Sequence, residues 1–242
     1  MTVSGSRDAL VLVPGLLCDE ALWDHQVRHL GEIADIQVAS TTSHDTLDGM
    51  VAAILAMAPP RFSLAGLSMG GYISMEVMRA APERVRRLAL LDTSGRPDTP
   101  EQSGGRRAML AASQAGEFKG ITRRLLGQFV HPSRLGDAAL TEAIMAMTAR
   151  VGPDSFRRQQ NALIPARAVD RRPYLKEVRC PTLVMCGRED VLTTVEMHEE
   201  IASLIPGARL ALIEECGHMS TMERPQAVTA LLRDWLLYDR AA

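Results

Sequence analysis

The chain has 242 residues and a formal net charge of −2 with histidine counted as neutral. Hydrophobic residues make up 46% and charged residues 23%, which is the balance of a globular protein with ample apolar material for a buried sheet. A net charge this close to zero is not that of a nucleic-acid-binding protein, so we expect no nucleic-acid partner. The length fits one large α/β domain, or one domain with an insertion.

The sequence carries no signal for a membrane or an export route. No stretch approaches the ~18 apolar residues that are needed to span a bilayer, so we expect no membrane partner. Residues 1–8 lack the basic region and the apolar core of a signal peptide. Cys18, Cys180, Cys186 and Cys216 are widely spaced and form no C-x-x-C pair, which is typical of reduced thiols. These features predict a cytoplasmic protein.

Short apolar runs alternate with helical patterns over the first 93 residues. Strands are predicted at 9–13, 35–40, 62–67 and 85–92, and helices at 20–30, 47–57 and 70–81. Such runs, bounded by glycine, proline or polar residues, are typical of buried parallel strands. Their alternation with helices predicts right-handed βαβ units, and hence a mainly parallel, doubly wound sheet of the α/β class.

The alternation stops after residue 93 and resumes near residue 175. Between these points we predict only helical segments, at 106–114, 121–130 and 140–148. Strands at 182–186 and 209–213 and helices at 195–204 and 226–238 follow. We therefore predict a core domain of residues 1–93 and 175–242, interrupted by a helical insertion at 94–174. Its ~80 residues far exceed an ordinary connection.

The segment Gly66-Leu67-Ser68-Met69-Gly70 matches the G-x-S-x-G pattern of a nucleophile elbow. It lies between a predicted strand and a predicted helix, which is the context that the pattern requires. Residues two before and two after the serine must be small, because side chains there would collide with the neighbouring strand and helix. The alternative, a plain turn with a capping serine, is less favoured because Gly71 and the flanking pattern also match. Ser68 is the predicted nucleophile.

His218 and Asp190 are the predicted base and acid. A serine hydroxyl needs a base to remove its proton, and the base needs an acid to orient it. Both residues follow predicted strands, whose carboxyl ends share one sheet edge, and the order serine, aspartate, histidine is usual for this pattern. Glu189 or Asp92 could replace Asp190, which could instead cap the next helix. The remaining histidines, for which we expect surface or capping roles, are His25, His29, His44, His131 and His198.

Two backbone N–H groups are predicted to stabilise the oxyanion that forms during acyl transfer. One belongs to Met69, directly after the nucleophile. The other is assigned to Leu16 in the loop after the first strand, where Gly15 allows the backbone to approach closely.

Together these motifs resemble the α/β-hydrolase superfamily over nearly the whole chain. They are V-P-G-L-L-C-D at 13–19, G-L-S-M-G-G at 66–71, L-L-D-T at 90–93, P-T-L-V-M-C-G-R-E-D at 181–190 and G-H-M-S-T-M-E-R-P at 217–225. The resemblance to 3-oxoadipate enol-lactonases and small carboxylesterases implies an α/β-hydrolase fold, a helical cap at about 94–174, and no need for a metal or organic cofactor. Many relatives carry His-Gly where this chain has Pro14-Gly15. Because the donors there are backbone amides, we expect the oxyanion hole to be kept.

The predicted function is hydrolysis of a small carboxylic ester or lactone, a small-molecule substrate, through an acyl-enzyme on Ser68. Two alternatives stay open at this point. One is a lyase or C–C bond hydrolase with the same triad, and the other is a non-enzymatic ligand receptor with a hydrolase fold.

The predicted insertion is rich in arginine. One or two of these side chains could bind a substrate carboxylate, since arginine suits bidentate recognition. The alternative for any one of them is a solvated surface position. The set comprises Arg106, Arg107, Arg123, Arg124, Arg150, Arg157, Arg158, Arg167, Arg171 and Arg172.

Overall fold

A computed structural model describes residues 7–238 of the chain. Residues 1–6, most of the segment that lacks signal-peptide features, lie outside the described residues. The core is a six-stranded sheet in the order β2-β1-β3-β4-β5-β6, and every pairing is parallel. The strands are β1 Asp8–Val13, β2 Ala34–Val38, β3 Phe62–Leu67, β4 Val85–Leu91, β5 Thr182–Gly187 and β6 Arg209–Ile213. The prediction of a parallel α/β sheet is confirmed.

Helices connect successive strands, and two more follow the last strand, β6. They are α1 Asp24–Leu30, α2 Leu47–Met57, α3 Met69–Ala80, α4 Pro100–Gln114, α5 Arg123–Leu126, α6 Ala138–Ala166, α7 Arg172–Leu175, α8 Val195–Leu204, α9 Ser220–Glu223 and α10 Pro225–Tyr238. The predicted helix at 20–30 is divided, because a 3-10 turn at Glu20–Trp23 precedes α1. Within residues 7–238, no helix combines the length and the apolar character needed to cross a membrane.

Both faces of the sheet are buried, which explains why its strands are nearly continuous apolar runs. Along β1, Leu10 and Leu12 pack on one face with Trp235 of α10. Val11 and Val13 point to the other face and pack with α2, α3 and α8. Burial of apolar area stabilises the fold by about 25 cal/mol per Å². Because all six strands run in the same direction, their carboxyl ends lie at one edge of the sheet. Burial of both faces keeps that edge well ordered.

The connection between β4 and β5 contains only helices and turns. Helix α4 begins earlier than predicted because Thr99 caps it and Gln102 completes a capping box. The helix predicted at 121–130 is reduced to α5, whereas the one predicted at 140–148 grows into the 29 residues of α6. Helix α6 bends at Gly152, whose φ of 73° and ψ of 176° are not helical, and Pro153 follows directly.

Gly152 and Gly104 offer opposite tests of backbone conformation. The dihedral angles of Gly152 belong to a region that is essentially restricted to glycine. Gly152→Ala should therefore lower the free energy of unfolding by about 1–3 kcal/mol, although an added Cβ meets no atom within 4 Å. Gly104 lies in exposed α4 with equal space, so Gly104→Ala should raise the free energy of unfolding by about 1 kcal/mol. Denaturant unfolding measures both, and equal effects would contradict this account.

Candidate active site

Ser68 occupies a strained turn between β3 and α3. Its φ of 56° and ψ of −113° lie outside the regions that non-glycine residues favour. Its N–H donates to the carbonyl oxygen of Leu91 at 2.9 Å, which ties the turn to β4. A Cβ on Gly66 would lie 2.2 Å from the carbonyl oxygen of Gly70, and one on Gly70 would lie 2.0 Å from that of Val13. Close packing therefore requires both glycines of the pattern.

Ser68, His218 and Asp190 form one hydrogen-bonded chain. Nε2 of His218 lies 2.9 Å from Oγ of Ser68, and Nδ1 lies 2.8 Å from Oδ2 of Asp190. Because an ionised carboxylate only accepts hydrogen bonds, Nδ1 carries the proton and Nε2 is free to accept one from the hydroxyl. His218 and Asp190 are buried, whereas Ser68 is partly exposed. The structure thus brings together the three side chains that the sequence indicated.

Asp190 is held by donors from the turn that follows it. Its Oδ1 accepts from the N–H groups of Leu192 (2.9 Å) and Thr193 (3.0 Å), and its Oδ2 accepts from the Thr193 hydroxyl at 2.6 Å. Burial works against the charged carboxylate, but His218 and Thr193 outweigh it and lower the pKa of Asp190. Burial likewise works against a charged imidazole, but Asp190 outweighs it and raises the pKa of His218. The site therefore stabilises the imidazolium that forms when the histidine accepts a proton.

The two other candidates for the acid are bonded elsewhere. Oε2 of Glu189 accepts from the N–H of Cys216 at 3.0 Å. Asp92 is fully buried; its Oδ1 accepts from the N–H of Gly187 and its Oδ2 from the hydroxyl of Ser220. Among the described residues, Asp190 is the only carboxylate that is hydrogen-bonded to the ring of His218.

Asp92, Cys186 and Asp190 form a buried group whose polar atoms lie within 4.8 Å of one another. Such a group could in principle hold a metal ion. However, both carboxylates are already hydrogen-bonded, and Sγ of Cys186 donates to the carbonyl oxygen of Gly187. Burial also raises the pKa of the Cys186 thiol, which disfavours the thiolate that binds metals. Burial and the neighbouring Asp190 raise the pKa of Asp92 to about 8, so the group fits a pair of acids that shares one negative charge near neutral pH.

Leu16 follows Gly15, where an added Cβ would lie 3.5 Å from Cβ of Ser68, and Met69 directly follows the nucleophile. Met69 is the first residue of α3, where a helix leaves its N–H groups without partners. Within residues 7–238, no hydrogen bond uses the N–H of Leu16 or of Met69. The next N–H, that of Leu17, instead donates to Oε1 of Gln159 at 3.1 Å. No motif in the sequence indicated Gln159, because it lies in α6, 142 positions after Leu17.

His198 departs from the expected surface or capping role. It is fully buried, and its Nε2 accepts from the N–H of Thr93 at 2.8 Å, next to the end of β4. Its Nδ1 faces the carbonyl oxygen of Thr194 at 3.0 Å and therefore carries the proton. Burial lowers the pKa of His198 to about 4. The ring is thus neutral, and it fixes the backbone beside Asp92.

Most of the ten arginines singled out between β4 and β5 are paired with acidic side chains. Arg167 and Arg171 are buried, contrary to a solvated surface position; Arg167 contacts Asp98 and Arg171 contacts Glu76. Both guanidinium groups face the ring of Tyr72 in α3, with Arg167 4.0 Å and Arg171 6.0 Å from its centroid. The other pairs are Arg106–Asp98, Arg123–Glu142, Arg150–Asp19, Arg157–Asp154 and Arg172 with both Asp170 and Glu200. Binding of a substrate carboxylate by an arginine stays a prediction.

Comparison with known proteins finds similarity over nearly the whole chain. A profile of the alpha/beta hydrolase family matches residues 10–231. The pimeloyl-[acyl-carrier protein] methyl ester esterase of Nitrosomonas europaea is 26% identical over 92% of this chain and 93% of that protein. A thermophilic esterase from Thermogutta terrifontis has a TM-score of 0.84 at 27% identity, over 96% of this chain and 90% of that one. The enol-lactonase from Burkholderia xenovorans has a TM-score of 0.83 at 23% identity. The match covers 97% of this chain and 93% of that one, and it shows a shared fold.

The raised pKa of Asp92 predicts a pH-dependent cost to stability. Its ordinary pKa is 3.8 and its pKa in the folded chain is about 8, so its stabilising contribution is complete below about pH 4 and is lost as pH rises through about 8. Asparagine resembles the protonated acid. The free energy of unfolding of Asp92→Asn, relative to the native chain, should rise by more than about 1 kcal/mol between pH 5 and pH 9. Urea unfolding of both proteins at both pH values measures this difference in the free energy of unfolding. The same difference at pH 5 and at pH 9 would contradict the raised pKa of Asp92.

Proposed function

The chain belongs to the alpha/beta hydrolase family, and on that premise we propose that it is a serine hydrolase that cleaves small carboxylic esters, lactones included. The observation that carries the proposal is the unbroken hydrogen-bonded chain from Oγ of Ser68 through His218 to Asp190. Two proteins that are similar to it over more than 90% of this chain support the proposal. One is named a methyl ester esterase and the other an esterase.

In the proposed reaction, Oγ of Ser68 attacks the ester carbonyl while Nε2 of His218 takes the hydroxyl proton. The tetrahedral intermediate then collapses, and the imidazolium returns this proton to the leaving alkoxide. His218 next removes a proton from water, which attacks the acyl-enzyme carbonyl. The second tetrahedral intermediate breaks its bond to Oγ of Ser68, which takes the proton back from the imidazolium as the acid is released. Asp190 stays ionised throughout and stabilises each imidazolium. The lowered pKa of Asp190 and the raised pKa of His218 fit these two roles.

The N–H groups of Leu16 and Met69 are the proposed donors to the oxyanion. Each lacks a hydrogen bond in the described part of the chain, so each is free to bind a developing negative charge. Gln159 binds the N–H of Leu17 and thereby holds the loop that carries Leu16. We also propose that residues 94–174 form a cap over Ser68, because Gln159 joins this segment to the oxyanion loop.

Replacement of the nucleophile tests the reaction directly. Ser68→Ala should lower kcat for p-nitrophenyl acetate and butyrate by at least ~10³-fold, because alanine has no attacking oxygen. Ser203→Ala is a matched control, since Ser203 is exposed and its hydroxyl donates only to the carbonyl oxygen of Glu200. Steady turnover that survives Ser68→Ala, or a folded native protein that turns over neither ester, would sink the proposal.

The neighbouring acids Glu189 and Asp190 allow a paired test of the third member. Asp190→Asn should lower kcat by roughly 10³–10⁴-fold, because the amide no longer holds the histidine in its required tautomer. It should also move the acid limb of kcat/KM to lower pH, because Asp190 raises the pKa of His218. Glu189→Gln should change neither quantity. A full pH–rate profile of the three proteins measures both, and comparable losses in the two variants would argue against Asp190.

A further inference from the structure

A buried carboxylate lies five residues after His218 and plays no part in the reaction described above. Glu223 ends α9 and is 0% exposed. Its Oε1 accepts from the N–H groups of Gly217 and Met219, both at 3.1 Å. Its Oε2 accepts from the N–H groups of Gly217 at 3.1 Å and of His131 at 2.7 Å. The carboxylate thus binds the backbone on both sides of His218 and, through His131, the insertion.

Further bonds join the same two segments, most of them between backbone atoms. The carbonyl oxygen of Phe129 accepts from the N–H groups of His218 at 2.8 Å and of Met219 at 3.2 Å. The backbones approach so closely that a Cβ on Gly217 would lie 2.9 Å from this oxygen. Arg134 adds a bond from its Nη1 to the carbonyl oxygen of Glu223 at 2.7 Å. Residues 129–134 and residues 217–223 therefore form one hydrogen-bonded unit, which we call the histidine clamp.

The clamp places strong constraints on the imidazole. Hydrogen bonds to a charged carboxylate are stronger than bonds between neutral groups, and they strengthen further away from water. Burial raises the pKa of Glu223, although the three backbone N–H groups oppose this. Proton transfer at a catalytic group requires placement to within about 0.5 Å and 10–20°. No other side chain among the described residues bonds to the backbone on both sides of His218.

We propose that Glu223 is a positioning residue that fixes the His218 ring relative to the insertion, so that the base and residues 129–134 keep one common position. This inference rests on the proposed role of His218 as base. If Glu223 served only the stability of the fold, another buried acid would be its equivalent. Glu76 is such an acid: it is 8% exposed and is bonded to Arg79, Arg171 and Tyr174.

The test compares Glu223→Gln with Glu76→Gln in the full chain. Glutamine has the shape of glutamate, but in either orientation its NH₂ group faces a backbone N–H that the carboxylate oxygen had accepted. Glu223→Gln should lower kcat for p-nitrophenyl acetate by roughly 10- to 100-fold, with KM within about twofold because the change displaces the base and leaves Ser68 and the proposed oxyanion donors unchanged. Glu76→Gln should keep kcat within about twofold of the native value, even if its midpoint of unfolding falls further than that of Glu223→Gln.

Amide hydrogen exchange tests the clamp without reference to any reaction. In Glu223→Gln, the amides of His131, Gly217 and Met219 should exchange at least ~10-fold faster, while those of β3 and β4 stay unchanged. If the native chain hydrolysed no ester, the proposed function would fail, but this measurement would still decide whether Glu223 holds the clamp. If Glu223→Gln does not fold, Glu223→Asp takes its place in the test. This variant keeps the charge on a shorter side chain, and it should show the same fall in kcat and the same faster exchange at His131, Gly217 and Met219. A folded Glu223 variant that kept both the native exchange rates at these amides and the native kcat would overturn the inference.

Discussion

The site depends on a backbone turn that no isolated peptide would adopt. A serine with a φ of 56° costs about 1–3 kcal/mol, and this strain persists only because its surroundings leave no alternative. Strand β3 enters the turn fully buried, α3 leaves it against Val13, and the N–H of Ser68 is bonded to Leu91. Packing of the sheet thus supplies the energy that holds the hydroxyl away from the backbone. The two glycines follow from the same constraint, because a side chain on Gly66 would collide with α3 and one on Gly70 would collide with Val13 at the end of β1.

A second constraint is electrostatic. Several acidic groups lie within the same buried region, and they cannot all be ionised in a medium of low dielectric constant. Asp190 keeps its charge because it has a histidine partner and donors from Thr193. Among the residues that the structure describes, Asp92 has no charged partner and is bonded only to Ser220 and the N–H of Gly187, and burial raises its pKa to about 8. Environment therefore assigns different states to two identical side chains that follow adjacent strands, β4 and β5.

Much of this arrangement could be predicted from local sequence, because local patterns determine it. The parallel sheet follows from apolar runs separated by helices, and the turn at Ser68 follows from glycine spacing. The residues that were missed are those whose partners are distant in the chain. Gln159 bonds the N–H of Leu17 across 142 positions, and buried His198 bonds Thr93 across 105. Neither polar residue interrupts a motif, so only the packed structure reveals its role.

The lengths of the helices show the same limit. Propensity located a helix near residue 140, but it could not indicate that the helix continues through the bend at Gly152 to residue 166. A glycine followed by Pro153 is a strong signal for a helix end, and here tertiary packing overrides it. The bend brings the second half of α6, including Gln159, against the loop that contains Leu17. An interruption that looked like a boundary thus helps to build the site.

The bonds from Phe129 to the backbone of His218 have a consequence for protein engineering. They involve main-chain atoms on both sides, so the identity of the side chain at position 129 can drift without breaking them, whereas an insertion or deletion would displace the carbonyl oxygen. A graft that joins foreign helices before residue 129 or after residue 134 would retain the original support of the histidine. A graft that cuts within this stretch would replace that support as well.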